Sequence, residues 1–167
     1  MSEIAQRKEA LRREIIASRK KRLTKNSAEF TKNLLALVTD ISPNRVMVFE
    51  SFGSEPETKD FIDQVQLPVM VPETHENHLS FKIKTTGEEA FIEPGDLLLI
   101  PALAVDREGN RLGRGKGYFD KTLETIPAEV LVFAVIYEDE FLASVPSQSH
   151  DRQVHGVVTE LGIHKIK

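Results

Sequence analysis

The chain has 167 residues, of which 40% are hydrophobic and 29% are charged, values typical of one soluble globular domain. It contains no cysteine, which excludes disulfides, cysteine-ligated zinc, iron–sulfur clusters and thiol nucleophiles, and which fits a cytoplasmic setting. No apolar run approaches the roughly 20 residues of a membrane-spanning helix, and the N-terminal region is too charged for the apolar core of a signal peptide.

The net charge of −4 hides a strong asymmetry along the chain. Residues 1–25 hold nine of the 22 Lys and Arg and three of the 26 acids, which gives +6, while the other 13 cations and 23 acids give −10. A basic N-terminal arm can bind nucleic acid. The acidic remainder, with only 7% aromatic residues and no Trp, offers few platforms for base stacking. A solvated helix face and a nucleic-acid contact therefore both stay open.

The first predicted element is a helix over residues 4–25, which contain no Pro or Gly. At 3.6 residues per turn, one apolar stripe forms from Ile4, Leu11 and Ile15. Lys8 and Arg12 lie at the edge of that stripe, one helical turn apart, so both side chains can reach one ligand. A second helix follows a cap at Asn26 or Ser27, and Ser42-Pro43-Asn44 ends it.

After this helical region, strands alternate with helices. Apolar or alternating runs predict strands at Val46–Phe49, Leu67–Val71, Leu79–Ile83, Asp96–Ala104, Val130–Tyr137 and Gly156–Glu160, and helices are predicted at Thr58–Val65 and Tyr118–Glu124, with a short helix or turn at Phe141–Val145. Pro68 favours an edge strand or a strand start, and Pro101 should end the regular part of its strand near Ile100. The alternation predicts one α/β domain over 1–167 with a mostly parallel sheet.

A glycine-rich segment is the sharpest chemical feature of the sequence. It reads Arg111-Leu112-Gly113-Arg114-Gly115-Lys116-Gly117-Tyr118-Phe119-Asp120, with three glycines interleaved with two cations before a predicted helix. Glycines allow close approach to backbone N–H groups, which can form a concave anion nest, and the helix N-terminus adds a partial positive charge. Arg114 and Lys116 add full charges. This combination suits a polyphosphate, although a glycine-rich surface turn with solvated cations remains an alternative.

The spacing of this segment does not match the common phosphate-binding motifs. It lacks the GxxxxGK[ST] spacing of a Walker loop, and its third glycine comes one residue early for the dinucleotide GxGxxG. A triphosphate normally arrives with Mg²⁺, which prefers one or two carboxylates plus phosphate oxygens. Asp120, just after the loop, and Asp151, in the loop 146–152, are the candidate ligands. Each also has an ordinary explanation, as a first-turn helix acid and as a turn residue.

Several segments together resemble the 5-formyltetrahydrofolate cyclo-ligase family, also called 5,10-methenyltetrahydrofolate synthetases. The run from Gly109 to Asp120 is similar to the family signature, and the preceding apolar strand 97–106 resembles the segment that leads into it. Other pieces match in the family's order: Lys8-x-x-x-Arg12, Phe49-Glu50-Ser51…Glu55-x-Glu57-Thr58, and Val145-Pro146…His150-Asp151…Val157-Val158-Thr159-Glu160. The resemblance thus covers nearly the whole chain.

The resemblance implies a three-layer α/β/α sandwich, Rossmann-related and similar to sugar isomerase and CoA-transferase folds. It implies conversion of 5-formyltetrahydrofolate to 5,10-methenyltetrahydrofolate with ATP and Mg²⁺, releasing ADP and phosphate, in a cytoplasmic, monomeric enzyme of one-carbon metabolism. Carried over by position, Asp120 and Asp151 would bind Mg²⁺. Folate would contact Glu50, Glu55 and residues 114–118, and the catalytic charges would come from Lys8, Arg12, Arg114 and Lys116. The residues that would contact ATP are Lys8, Arg12, Arg111, Leu112, Gly113, Arg114, Gly115, Lys116, Gly117, Tyr118 and Phe119.

Two departures from the family pattern concern the folate rather than the nucleotide. Phe119 stands where many relatives have a second Tyr, and the segment between Phe81 and Asp96 is short, with only Phe91 and Ile92-Glu93-Pro94 in place of a longer aromatic stretch. They leave room for a family-shaped enzyme with a different folate or acyl substrate. A non-catalytic nucleic-acid-binding module that uses the basic helix is the other alternative.

Overall fold

The computed structural model describes residues 1–166, which form four α-helices and eleven strands. The helices are α1 (Glu3–Lys20), α2 (Ser27–Ile41), α3 (Lys59–Gln64) and α4 (Tyr118–Thr125), and the strands are β1 (Arg45–Val48), β2 (Val69–Thr74), β3 (Leu79–Ile83), β4 (Glu89–Ala90), β5 (Asp96–Pro101), β6 (Ala104–Asp106), β7 (Arg111–Leu112), β8 (Leu131–Val135), β9 (Phe141–Leu142), β10 (Gly156–Thr159) and β11 (Gly162–Lys165). None of these helices is both long and apolar enough to cross a membrane.

Eight of the strands form one sheet in the order β11-β10-β8-β5-β1-β2-β3-β4. The five strands from β10 to β2 run parallel to one another. At one end β11 pairs antiparallel with β10, and at the other β3 pairs antiparallel with both β2 and β4. The central strands consist of consecutive apolar residues because helices cover both faces of a parallel sheet. The prediction of an α/β domain with a mostly parallel sheet is confirmed.

The two faces of this sheet have separate hydrophobic cores. On one face, Val46 and Leu97 pack with Phe30 and Leu34 of α2 and with Phe61 of α3. The alternate residues of the same strands belong to the other core, which includes Leu123 of α4 and is formed around Met47, Leu98, Ile100, Val132 and Ala134. Helices therefore lie on both sides of the sheet, in the three layers that the family resemblance implies.

A second, three-stranded sheet in the order β7-β6-β9 supports the first helix. Ile15 of α1 is buried with Leu103, Ala104, Leu112 and Val145, and Leu11 and Ile16 pack against them. Near the end of α1, the buried guanidinium of Arg19 makes two hydrogen bonds of 2.8 Å to the carboxylate of Glu140. These contacts fix the helix beside the strand that leads into the glycine-rich loop.

Two of the predicted segments are wrong. The first helix ends at Lys20 rather than 25, because the apolar stripe stops there: Leu23 is fully exposed, and Arg22 turns towards Asp139 and stacks on the Tyr137 ring. The segment predicted as a helix or turn at 141–145 begins instead with β9, which pairs with β6. The second strand begins at Val69 and lies inside the sheet, so of the two alternatives for Pro68 the strand start is confirmed and the edge strand is not.

Candidate active site

The glycine-rich loop connects β7 to α4 with two glycines in conformations that other residues rarely adopt. Gly115 has φ +103° and Gly117 has φ +76°, and Gly117 is the N-terminal cap of α4. Gly113 is needed for a different reason, since a Cβ there would lie 2.8 Å from Nη1 of Arg111. The loop thus exposes backbone N–H groups at a helix N-terminus, which is a suitable environment for an anion.

Helix α1 brings two cations to this loop from the other end of the chain. Arg12 Nε donates to the carbonyl oxygen of Gly113 at 2.9 Å, across 101 positions of sequence, and Arg12 Nη1 lies 3.2 Å from Glu9 Oε2. Lys8 Nζ lies 3.4 Å from Asp151 Oδ2. The predicted pairing of Lys8 and Arg12 on one edge of a helix is therefore confirmed, and both face predicted site residues.

Arg111, at the start of the glycine-rich segment, has a buried side chain with donor atoms that are unpaired among the described residues. Its side chain is 5% exposed, and within residues 1–166 its buried Nε and Nη1 atoms have no hydrogen-bond partner. Burial lowers the pKa of the Arg111 guanidinium, an effect opposed by the negative charges of Asp120 and Asp151. Buried donors are almost always paired in proteins. The two unpaired donor atoms lie beside the glycine-rich loop, where acceptor oxygens of a ligand can satisfy them.

The two predicted metal ligands both lie close enough to act on this guanidinium. Asp120 Oδ1 is 3.7 Å from Arg111 Nη1, and the Asp120 side chain is 60% exposed. Asp151 Oδ2 accepts a hydrogen bond of 3.0 Å from the backbone N–H of Gln148. Within residues 1–166 no cluster of three or more metal-binding side chains is found. Carboxylate oxygens are among the ligands that Mg²⁺ prefers, together with phosphate oxygens and water, so Asp120 and Asp151 have the ligand chemistry of this ion.

The loop after β1 approaches the glycine-rich loop from the sheet side. Glu55 is buried, and its Oε2 lies 3.9 Å from Nε of Arg114. Burial raises the pKa of Glu55, while the N–H of Phe52, 3.0 Å from Oε1, and the charge of Arg114 act in the opposite direction. Arg114 and Lys116 are exposed, and Lys116 has no ion pair or hydrogen bond through its ammonium in the described part of the chain. Both cations are available to a ligand.

The remaining predicted contacts are spread around the start of α4. The Tyr118 hydroxyl donates to the carbonyl oxygen of Glu76 at 3.4 Å, in the β2–β3 connection. The Phe119 ring packs against the hydrophobic core, which explains how the site tolerates the loss of a hydroxyl there. The Glu50 carboxylate pairs with Lys84 at 2.5 Å and not with the glycine-rich loop, so a folate contact through this side chain stays a prediction.

A cavity of about 380 Å³ lies between α4 and the β3–β4 hairpin. Its apolar lining includes Leu79, Phe81, Phe91 and Ile92, and the last two come from the shortened segment between Phe81 and Asp96. Thr122 lines it from α4, one helical turn after Tyr118. The short segment therefore still provides an apolar wall beside the helix that follows the glycine-rich loop.

Phe52, which the sequence pattern did not single out, lies beside Arg114 of the glycine-rich loop. Its ring is 68% exposed and lies 5.5 Å from the guanidinium of Arg114. An aromatic residue between Ser51 and Gly53 in a polar loop was the available signal, since such a side chain has no core to enter. An exposed ring beside a cation offers a surface on which a planar ligand can stack.

Contacts within the chain engage most of the N-terminal cations. Besides Lys8 and Arg12, the helix and the segment after it place Arg13 near Glu9, Arg19 on Glu140, Arg22 on Asp139, and Lys25 on the carbonyl oxygen of Gly53. A nucleic-acid interface needs cations that are free to meet phosphates. The structure therefore gives this alternative little support.

Comparisons with known proteins agree with the geometry. A model described as the 5-formyltetrahydrofolate cyclo-ligase family matches residues 64–160. The chain is 27% identical over 190 residues to a 5-formyltetrahydrofolate cyclo-ligase of Mus musculus, covering 89% of this chain and 93% of that protein. It is 47% identical over 68 residues to one of Mycolicibacterium smegmatis, a match that spans 41% of this chain and only 35% of that relative.

Two solved structures have the same fold. The 5,10-methenyltetrahydrofolate synthetase of Mycoplasma pneumoniae superposes with a TM-score of 0.79 at 21% identity, covering 92% of this chain and 98% of that one. The Aquifex aeolicus 5,10-methenyltetrahydrofolate synthetase superposes with a TM-score of 0.75 at 20% identity, covering 96% and 93%. Since the family model spans more than half of the sequence, and includes the glycine-rich loop with both aspartates, the chain belongs to the 5-formyltetrahydrofolate cyclo-ligase family.

Proposed function

We propose that this protein converts 5-formyltetrahydrofolate to 5,10-methenyltetrahydrofolate in a reaction that consumes ATP and requires Mg²⁺. The observation that carries the proposal is the buried guanidinium of Arg111, whose two unpaired N–H groups lie beside the glycine-rich loop and two carboxylates. This arrangement has donors, cations and metal ligands in one place, as a nucleoside triphosphate with its Mg²⁺ requires.

The nucleotide phosphates lie, in this proposal, against the backbone N–H groups of 113–117. Lys8 and Arg12 reach them from α1, and Arg111 contributes its free Nε and Nη1 donors from below the loop. Asp120 and Asp151 would hold the Mg²⁺ that accompanies ATP, and the metal would supply charge neutralisation at the phosphates. The chain itself has few ligands for the metal, so Mg²⁺ should bind weakly without the nucleotide.

The formyl oxygen of the substrate is a poor leaving group, and its phosphorylation makes it a good one. The formyl oxygen attacks the γ-phosphorus in line, the bond to ADP breaks, and an N5-iminium phosphate forms. N10 then attacks the activated carbon and loses its proton to solvent, and the C–O bond breaks to release phosphate and close the imidazoline ring. Lys8, Arg12, Arg114 and Lys116 serve this reaction by holding the reacting groups in line and balancing the negative charge that develops.

The folate lies, in this proposal, between the β1 loop and the start of α4. Glu55 is buried next to Arg114 and holds the polar edge of the pterin. Phe52 and Tyr118 flank the same region, and the cavity beside α4 can take the apolar part of the substrate. A buried carboxylate with a raised pKa is a suitable partner for the N–H groups of a pterin ring.

The test is to mix purified protein with 5-formyltetrahydrofolate, Mg²⁺ and ATP, and to follow the methenyl chromophore together with ADP release. We expect product only when all three are present. A panel of other folates and formylated acyl compounds addresses the shortened segment 81–96. If ADP is released with another compound and not with 5-formyltetrahydrofolate, that compound is the substrate and the proposed substrate is wrong. Failure to bind ATP at all would refute the proposal.

A further inference from the structure

Arg152 makes the most extensive contacts of the loop that carries Asp151. Its Nη1 donates to the carbonyl oxygens of Leu123 at 2.8 Å and Ile126 at 3.2 Å, and its Nη2 donates to that of Pro127 at 3.4 Å. These three acceptors lie at the C-terminal end of α4, where the last helical carbonyls have no partner within the helix. A planar guanidinium can reach three such acceptors at once.

This contact connects the two carboxylates of the site. Asp120 stands in the first turn of α4, an eight-residue helix, and Arg152 binds the last turn of the same helix. Asp151 is the residue immediately before Arg152, and its carboxylate is oriented by the Gln148 N–H and by Lys8. A single side chain thus fixes the element that carries one carboxylate to the segment that carries the other.

We propose that Arg152 is a positioning residue that sets the separation of Asp120 and Asp151 for the Mg²⁺ of bound Mg·ATP. The inference rests on the proposed function, because it needs both aspartates to act on the nucleotide's metal. In this proposal Arg152 contacts neither the metal nor the substrate. It acts on the position of Asp120 through the backbone of α4. If it served only as a helix cap, its loss would lower stability without any preference for Mg²⁺.

The experiment compares ATP binding by calorimetry in excess Mg²⁺ and in EDTA, together with the melting temperature. In Arg152→Gln we expect the affinity for ATP with Mg²⁺ to fall about tenfold or more, on the scale of losing an outer-shell partner of a metal site. Affinity in EDTA should change little. Arg152→Lys keeps the charge but loses the fork, so its loss should be smaller than that of Arg152→Gln.

Arg45→Gln is the matched control. Arg45 makes two guanidinium hydrogen bonds to a buried partner, Asp96, and one to the carbonyl oxygen of Phe91, at the amino ends of β1 and β5 and away from the glycine-rich loop and both aspartates. It should lower the melting temperature without any Mg²⁺-specific loss of ATP affinity. That result separates a positioning effect from general destabilisation.

Equal loss of ATP affinity with and without Mg²⁺ in Arg152→Gln, or no loss in either condition, would overturn the inference while leaving the proposed function in place. If Arg152→Gln does not fold, Arg152→Lys decides: a Mg²⁺-specific loss supports the inference and its absence overturns it. If the wild-type protein fails to bind Mg·ATP, the proposed function falls, and this inference falls with it.

Discussion

Alanine at Gly115 or Gly117 tests whether backbone N–H groups hold the phosphates. At both positions φ is positive, +103° and +76°, so an alanine is strained by about 1–2 kcal/mol. At Gly115 the new Cβ would also lie 3.4 Å from Cζ of Arg12, the residue that donates to Gly113. At Gly117 nothing lies within 4 Å, so the backbone conformation is the only source of strain.

The strain must appear either in folding or in binding. If the loop keeps its conformation without ATP, the melting temperature of the free protein falls by about 2–8 °C for a domain of this size. If the loop relaxes instead, ATP must restore the conformation, and the same 1–2 kcal/mol weakens binding by about 5–30-fold. Because this short loop is open to solvent, we expect most of the strain to relax and ATP affinity to fall by about tenfold.

The measurements are ATP affinity by calorimetry in Mg²⁺ and melting temperature of the free protein. Gly87→Ala is the matched control, since Gly87 has φ +75° with nothing within 4 Å of a new Cβ and lies in the turn between β3 and β4. It should show the stability effect without the binding effect. Normal ATP affinity in both Gly115→Ala and Gly117→Ala would refute the role of the loop backbone.

Three further predictions concern the charged groups. Lys116→Ala should lower turnover by about 10²-fold or more. The melting temperature of the ligand-free protein should not change, because the Lys116 side chain is exposed. Near-normal turnover in this variant would show that Lys116 has no catalytic role. Asp120→Asn and Asp151→Asn should each raise the Mg²⁺ concentration that gives a half-maximal rate. In the double mutant the two effects should be non-additive, and additive effects would contradict a shared ion. Burial raises the pKa of Glu55, so the folded state holds this proton more tightly than the unfolded state does. As pH rises from about 4.3 through the raised pKa, the wild-type protein should lose stability, and the melting temperature of Glu55→Gln should rise relative to that of the wild type. A difference in melting temperature that does not change with pH would contradict this.

Local patterns in the sequence predicted much of the fold and the chemistry of the site. Consecutive apolar residues in Val46–Val48 and Leu97–Ile100 required burial on both faces, which only central strands provide, and both segments are strands of the parallel sheet. The interleaved glycines and cations of 113–117 were enough to predict anion binding there, because that property depends on backbone freedom and charge within a few residues. The cytoplasmic location, the monomeric state, the single-domain organisation and the absence of nucleic-acid binding stay predictions.

Tertiary structure decided what depends on partners distant in sequence. No local pattern marks Arg111 as buried, because the 5% exposure of its side chain results from tertiary packing and not from its neighbours in sequence. Likewise, Phe141–Leu142 became a strand only because β6 offers it hydrogen bonds, and α1 stopped at Lys20 because Arg22 turns to Asp139. Strand propensity and helix length yield to such contacts, because pairing and burial contribute more free energy than the intrinsic preference of a short segment.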